Sequence, residues 1–304
     1  TYFPMIQRYE ASIYMLGWGV PTFDALYSLQ SLTRSVGTGG DGNYNVGRYS
    51  NARMDYVVDR AKAAQHGVSE AAIARTLALA AQGAAILDIG AESTLAHAAR
   101  VDDAAQTSQL LPVVRGLASE GCIVSVETYH PSVTLACLEA GARVLNLTGN
   151  DRSDELFRMV ADHDAAVVLC YVKGSNVREV GDFDLAGDPT ARLYEHFARQ
   201  TEAAVKNGVS RLWIDPGLGF YYKNLGDSKT RIRHQMQVFL NTFRLRALGF
   251  PTCHALPHAF ECFEDEVRSA EPFFAVMAAL GKTDLLRTHE VPKTRAVLET
   301  LGVW

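Results

Sequence analysis

From Ser69 onward, apolar residues recur in two alternating patterns, one with helical spacing and one of short continuous runs. Ser69 is placed to cap a helix carrying Ile73, Leu77 and Ala81 on one face, and Gly83 closes it. The run Ala84-Ala-Ile-Leu-Asp-Ile89 follows, of strand length. The rhythm then repeats: a helix near 103–119, strand Ile123–Val126, and a helix opened by Pro131 and closed by Gly141. Next come strand Val144–Leu147, a helix near 154–162 and strand Ala165–Tyr171. A long helix near 189–206 leads to Leu212-Trp-Ile214, and a helix near 229–248 is expected to turn Ile232, Met236, Phe239, Leu240 and Phe243 inward. Strand Thr252–Ala255, a helix near 264–280, strand Asp284–Thr288 and a helix from Pro292 complete the series.

Strands this apolar are buried on both faces, which marks a parallel sheet flanked by helices. Such β units in unbroken succession predict an α/β chain folded as a (β/α)8 TIM-type barrel. In that architecture the functional residues sit where each strand ends and its loop begins.

Residues 1–66 depart from this rhythm and form an irregular N-terminal segment ahead of a barrel spanning 67–304. Ser12-Ile-Tyr-Met-Leu-Gly-Trp-Gly19 reads as one strand, a Gly-, Asn- and Ser-rich stretch runs from Ser35 to Asn51, and a helix is expected near 52–65. The segment resembles part of a peptide-binding protein of ABC importers, and its strand is expected to fill the first slot of the barrel. Gly37-Thr-Gly-Gly-Asp-Gly42 matches a nucleotide-binding fingerprint only formally, since it follows no strand and opens no helix; it reads as a loop.

Composition narrows the function classes. The 304 residues are 48% hydrophobic with a net charge of −5, enough for one large core. No Lys/Arg cluster stands out, which argues against a nucleic-acid partner. No apolar run approaches the roughly 18 residues that suggest a membrane span, and no secretory signal is visible, so a cytoplasmic location is expected. The five cysteines, Cys122, Cys137, Cys170, Cys253 and Cys262, form no C-x-x-C pair and read as reduced residues rather than a disulfide framework.

The chemistry gathers at the strand ends. In Trp213-Ile-Asp-Pro-Gly-Leu-Gly-Phe220, Asp215 either points into the barrel mouth, where the glycines let a flat ligand approach the backbone, or caps the Pro-Gly turn. The earlier strands run into Asp88-Ile-Gly-Ala-Glu-Ser-Thr94 and Glu127-Thr-Tyr-His-Pro131, then deliver Asn146, and the last ends in Arg287-Thr-His289-Glu-Val. In order and spacing these motifs resemble those of the dihydropteroate synthase family, within the broader pterin-binding group, over Ser69 to Trp304.

The resemblance implies a transferase of folate biosynthesis that joins a pterin pyrophosphate to p-aminobenzoate. On that basis Asp215, Asn146, Glu127 and Phe220 bind the pterin, and Ser93 and Thr94 serve p-aminobenzoate or pyrophosphate. Arg287 and His289 act on the leaving pyrophosphate, Mg2+ is the implied cofactor, and a homodimer through the late barrel helices is implied. The chain departs from the family pattern at Leu95, where an arginine is expected, and at Ala259, where a lysine is expected. Glu127 replaces an aspartate. The family's first strand and its loop have no counterpart in the residues before Ser69. These departures leave two alternatives beside the synthase: a non-catalytic pterin-binding protein and a pterin-dependent methyltransferase. Asn146-Leu-Thr148 is a formal glycosylation sequon, discounted because it falls at a strand end.

Overall fold

The computed structural model describes residues 69–94, 100–182, 187–220, 222, 227–257, 260–263 and 268–303. By backbone contacts the chain divides into two compact units, Thr1–Ala74 and Arg75–Trp304. The strand read at Ser12–Gly19, the Gly-rich stretch and the helix near 52–65 lie outside the described residues.

Helix α1 (Ser69–Ala81) precedes strand β1 (Leu87–Gly90), and the units α2 (Asp103–Ser119), β2 (Val124–Thr128), α3 (Pro131–Glu139) and β3 (Val144–Leu147) follow. Then come α4 (Ser153–Asp162), β4 (Ala166–Cys170), α5 (Pro189–Lys206), β5 (Leu212–Asp215) and α6 (Ser228–Asn241). The remainder is a 3-10 helix at Thr242–Leu248, β6 (Cys253–Ala255), α7 (Phe260–Phe263), α8 (Ala270–Leu280), β7 (Leu285–Arg287) and α9 (Val291–Thr300). Local chemistry sets the boundaries. Asp102, Asp188 and Asp227 cap α2, α5 and α6 with side-chain acceptors, and proline opens α3 and α5.

Strands β1 to β5 lie side by side in chain order, all parallel, and β6 pairs with β7 in the same sense. The two sheets meet through a parallel bridge between Ile214 and Thr252, with the Ile214 N–H donated to the Pro251 carbonyl at 3.0 Å. The series is the α/β barrel succession expected from the sequence. Among the described residues β1 and β7 carry no strand between them. A cavity of about 930 Å3 extends along this gap, from Gly83 and Asp284 at the strand starts to Arg287 and His289 at their ends.

Alternation along each strand divides the side chains between two faces. Leu87, Val124, Val126, Leu145, Leu147, Val167, Leu169, Leu212 and Ile214 are buried on one face. On the other, Val144, Val168 and Cys253 form a cluster with Ile86, Trp213 and Leu285 packed against it. Two residues further along the same face stand Asn146, Cys170, Ala255, Asp88, Asp215 and Arg287. The inward rows are therefore apolar at the bottom of the barrel and mostly polar at the C-terminal end.

Two expectations are corrected. The helix near 229–248 ends at Asn241 and tightens into the 3-10 turn. Its buried face carries Arg231, His234, Gln235, Val238 and Phe239, whereas Leu240 and Phe243 are 40% and 49% exposed. The buried polar residues find partners: Gln235 donates to the Leu218 carbonyl at 2.9 Å and Arg231 to Ser228 at 2.9 Å. Phe239 faces inward as expected, whereas apolarity alone misplaced Leu240 and Phe243. Of the helix expected near 264–280, α8 covers Ala270–Leu280, with Pro272 in its first turn, and residues 264–267 lie outside the described residues.

Candidate functional site

Register brings the polar ends together. Asp88 on β1 pairs with Ser125 on β2, Glu127 with Asn146 on β3, and Cys170 on β4 with Asp215 on β5. The Ser125 hydroxyl donates to Asp88 Oδ1 at 2.6 Å, and the Asn146 amide donates to Asp88 Oδ2 at 2.9 Å. That bond fixes the amide orientation, leaving Asn146 Oδ1 as an acceptor for the Cys170 thiol at 3.2 Å. Asn146 is fully buried, so the sequon reading is set aside on structural grounds as well. On β5 the Pro-Gly turn does the same for Asp215: Gly217 N–H donates to its Oδ1 at 2.8 Å. Gly217 has φ +72, and a Cβ there would lie 2.2 Å from the Tyr171 carbonyl oxygen, so the turn admits only glycine.

Arg287, from the end of β7, points its guanidinium into this group. Its Nε lies 3.3 Å from Asp88 Oδ2, Nη1 lies 3.4 Å from Asp215 Oδ2 and 3.5 Å from Asn146 Oδ1, and Nη2 lies 3.5 Å from Glu127 Oε2. Three carboxylates thus surround one cation. Burial raises the pKa of Glu127 to about 7, the Arg287 charge partly opposes this, and repulsion from Asp88 and Asp215 reinforces it. Burial also raises Asp215, against the pull of Arg287 and the Gly217 N–H. Burial disfavours the Arg287 charge, but Asp88, Glu127 and Asp215 outweigh it and hold its pKa well above the ordinary guanidinium value.

The loop after β7 has a separate anchor. Glu271, fully buried on α8, accepts from the Thr288 hydroxyl at 2.5 Å and the His289 N–H at 2.9 Å. It also accepts from the Glu290 N–H at 3.3 Å and Arg268 at 2.9 Å, and its Oε1 lies 3.1 Å from His289 Nδ1. The His289 side chain is 60% exposed, so it stands at the surface of the loop rather than in the core.

The other expected residues fall nearby. The Ser93 carbonyl accepts from Arg178 at 2.7 Å, and Thr94 is half-buried. Beside them Glu92 accepts from the Tyr129 hydroxyl at 2.8 Å and the Val101 N–H at 3.2 Å, with Arg178 Nε 4.0 Å away. A buried cation from the loop after β4 therefore supports the Glu-Ser-Thr segment. Phe220 packs in the apolar cluster with Val172, Val177 and Tyr222. Leu95 and Ala259 lie outside the described residues. Sequence reasoning missed Asp88 as a site residue, although it opens a motif already singled out. It also missed Glu271 and Arg178. The one signal for Glu271 was a lone carboxylate in an otherwise apolar helix, and Arg178 had no local signal.

Several known proteins share this chain's pattern. A family model described as pterin binding enzyme matches residues 53–251. The chain is 29% identical over 256 residues to dihydropteroate synthase of Mycobacterium leprae (strain TN), covering 81% of this chain and 86% of that one. A solved structure of Xanthomonas albilineans dihydropteroate synthase with 4-aminobenzoic acid is similar over 77% of this chain and 84% of that one, at 30% identity and a TM-score of 0.66. The Xanthomonas enzyme in complex with 7,8-dihydropteroate is similar over 77% and 86%, at 28% identity and a TM-score of 0.62.

Proposed function

The chain belongs to the pterin binding enzyme family, and on that premise we propose that it is a dihydropteroate synthase-type transferase of folate biosynthesis. Its reaction joins a pterin pyrophosphate to p-aminobenzoate. One observation carries the reading: Asp88, Glu127, Asn146 and Asp215, from four strands, aim acceptor oxygens at one point in the barrel mouth. The edge of a 2-amino-4-oxopyrimidine presents N–H donors side by side, and carboxylate and amide oxygens are their complement. The ligands named for the Xanthomonas enzyme, 4-aminobenzoic acid and 7,8-dihydropteroate, support the same substrate class.

In the reaction the bond from the pterin methylene carbon to the pyrophosphate oxygen breaks, and its electron pair leaves with the anion. The amine nitrogen of p-aminobenzoate supplies the pair for the new C–N bond and afterwards loses a proton. The chain contributes positioning and stabilisation of the departing charge. Asp215 is held by the Gly217 N–H, and Asp88 by Ser125 and Asn146, so their remaining acceptor positions are set before the ring arrives. Arg287 and His289 serve the pyrophosphate, a role that suits a guanidinium fork. Ser93, Thr94 and Phe220 complete the proposed site.

Mg2+ commonly binds through substrate phosphates with few protein carboxylates. Among the described residues no His, Cys, Asp or Glu group is arranged to hold an ion, and the three carboxylates that converge, Asp88, Glu127 and Asp215, face Arg287 instead. No described helix is long and apolar enough to cross a membrane; a cytoplasmic location belongs to the proposal. So does a homodimer through the late helices, supported by exposed Leu240 on α6, Phe243 in the turn after it, and Phe273 and Leu280 on α8. A second reading, a pterin-binding protein without turnover, is favoured by Leu95 and Ala259, which replace two expected cations.

Incubating the full chain with a pterin pyrophosphate and p-aminobenzoate, with and without Mg2+, tests the proposal. Release of pyrophosphate with matching dihydropteroate is the expected result. Pterin binding without product selects the second reading, and no pterin binding overturns both.

A further inference from the structure

All four Arg287 contacts in the mouth are long, at 3.3–3.5 Å. Charge-assisted N–H···O bonds to carboxylates run about 2.7–2.9 Å. The acceptors therefore enclose a space wider than the guanidinium needs, and their three carboxylates exceed its single charge. The occupant is also chemically telling. A guanidinium is a planar N–C–N unit with donors along its edges, and the 2-amino-4-oxopyrimidine edge contains the same N–C–N unit. Ring and side chain thus call on the same oxygens.

Resting on the pterin reading above, we propose that Arg287 is the specificity-determining residue of the site, a built-in competitor for the pterin edge. A ring that enters must displace the guanidinium from Asp88, Asn146, Glu127 and Asp215. The displaced cation then regains a partner only when the ligand brings its own anion, as a pyrophosphate ester does. A pterin lacking that group bears the cost of displacement with no return contact and binds weakly. The surroundings suit a side-chain exchange. Glu271 holds Thr288, His289 and Glu290 by their polar groups, so the backbone beyond Arg287 stays anchored. The guanidinium borders the cavity lined by Leu256, Thr288 and His289, which leaves room for rotation.

Isothermal titration of the full chain and an Arg287→Met variant tests this, with 6-hydroxymethylpterin and its pyrophosphate ester as ligands. The wild type is expected to favour the ester by about a hundredfold or more. In the variant, hydroxymethylpterin should bind about tenfold tighter than to the wild type, and the preference for the ester should shrink to about tenfold or less. Weaker or unchanged binding of hydroxymethylpterin by the variant overturns the proposal.

Methylguanidinium at low millimolar concentration is a second probe that needs no pterin. It should raise the melting temperature of the variant and leave the wild type unmoved. No pterin bound by either protein removes the pterin reading and the competitor role with it, even where methylguanidinium binds the variant. Pterin binding without any gain in the variant removes the competitor role and leaves the pterin reading standing. If Arg287→Met fails to fold, the Arg287 Nε–H resonance of the wild type reports the same exchange. It should shift when the ester binds, and an unmoved signal overturns the proposal.

Discussion

Glu271 and His289 are joined twice: the buried carboxylate accepts the His289 backbone N–H at 2.9 Å and lies 3.1 Å from its ring Nδ1. With the Thr288 hydroxyl and the Glu290 N–H on the same carboxylate, one side chain on α8 organises the loop that carries Arg287. Removing a buried, multiply bonded carboxylate leaves its donors unsatisfied. Glu271→Ala is expected to cost about 3 kcal/mol in urea unfolding, and Glu271→Gln, which keeps the shape, appreciably less. Both should weaken binding of the pyrophosphate ester. Unchanged stability and unchanged ester affinity in Glu271→Ala would refute this role.

Gly217 and Asp215 act as a unit. Gly217→Ala places a methyl group 2.2 Å from the Tyr171 carbonyl in a left-handed backbone conformation and displaces the N–H that holds Asp215. A loss of about 2 kcal/mol or more is expected. Pterin affinity should fall with it. A denaturation midpoint equal to that of the wild type would show that the turn relaxes at no cost.

Asp88 receives Ser125, Asn146 and Arg287 on its two oxygens. Asp88→Asn replaces one acceptor by a donor, which then faces the Asn146 amide, the Ser125 hydroxyl or Arg287. Pterin binding is expected to drop by about tenfold or more, with a smaller effect for Ser125→Ala. Wild-type affinity in Asp88→Asn would place the ligand elsewhere.

Glu127 gives the site a pH signature. Its folded pKa, about 7, lies above the 4.5 of the unfolded chain. Between these values the native state holds the proton more firmly, so the contribution of Glu127 to stability is complete below pH 4.5. It is lost as pH rises through 7. Glu127→Gln should remove this part of the pH dependence and be relatively more stable at pH 8 than at pH 5, measured by thermal unfolding at both. In binding, the ionised form is the better acceptor of ring N–H groups, so pterin affinity should rise through pH 7 in the wild type and flatten in Glu127→Gln. Parallel pH profiles for the two proteins would exclude Glu127 as the titrating group.

Much of the candidate site was legible because the barrel series ties function to strand ends. Asp215, Asn146, Glu127 and Arg287 were each found at the end of an apolar run, and they converge. Asp88 was passed over because it looked like part of a strand, flanked by Leu87 and Ile89; its inward direction follows from the pleat. The face of α6 was misread for a related reason. Leu240 and Phe243 are apolar but exposed, while Arg231 and Gln235 are buried because they find polar partners.

Local period and capping in the sequence set the alternation of strands and helices and the residues at the strand ends, and the two-sided burial of apolar strands pointed to a parallel sheet. Only the tertiary structure decided that Arg287 faces four acceptors, that Glu271 anchors the loop beyond it, and that Arg178 supports the Glu-Ser-Thr segment. These contacts join residues distant in the chain. They depend on strand register and on the balance between burying a charge and pairing it, which no local pattern encodes.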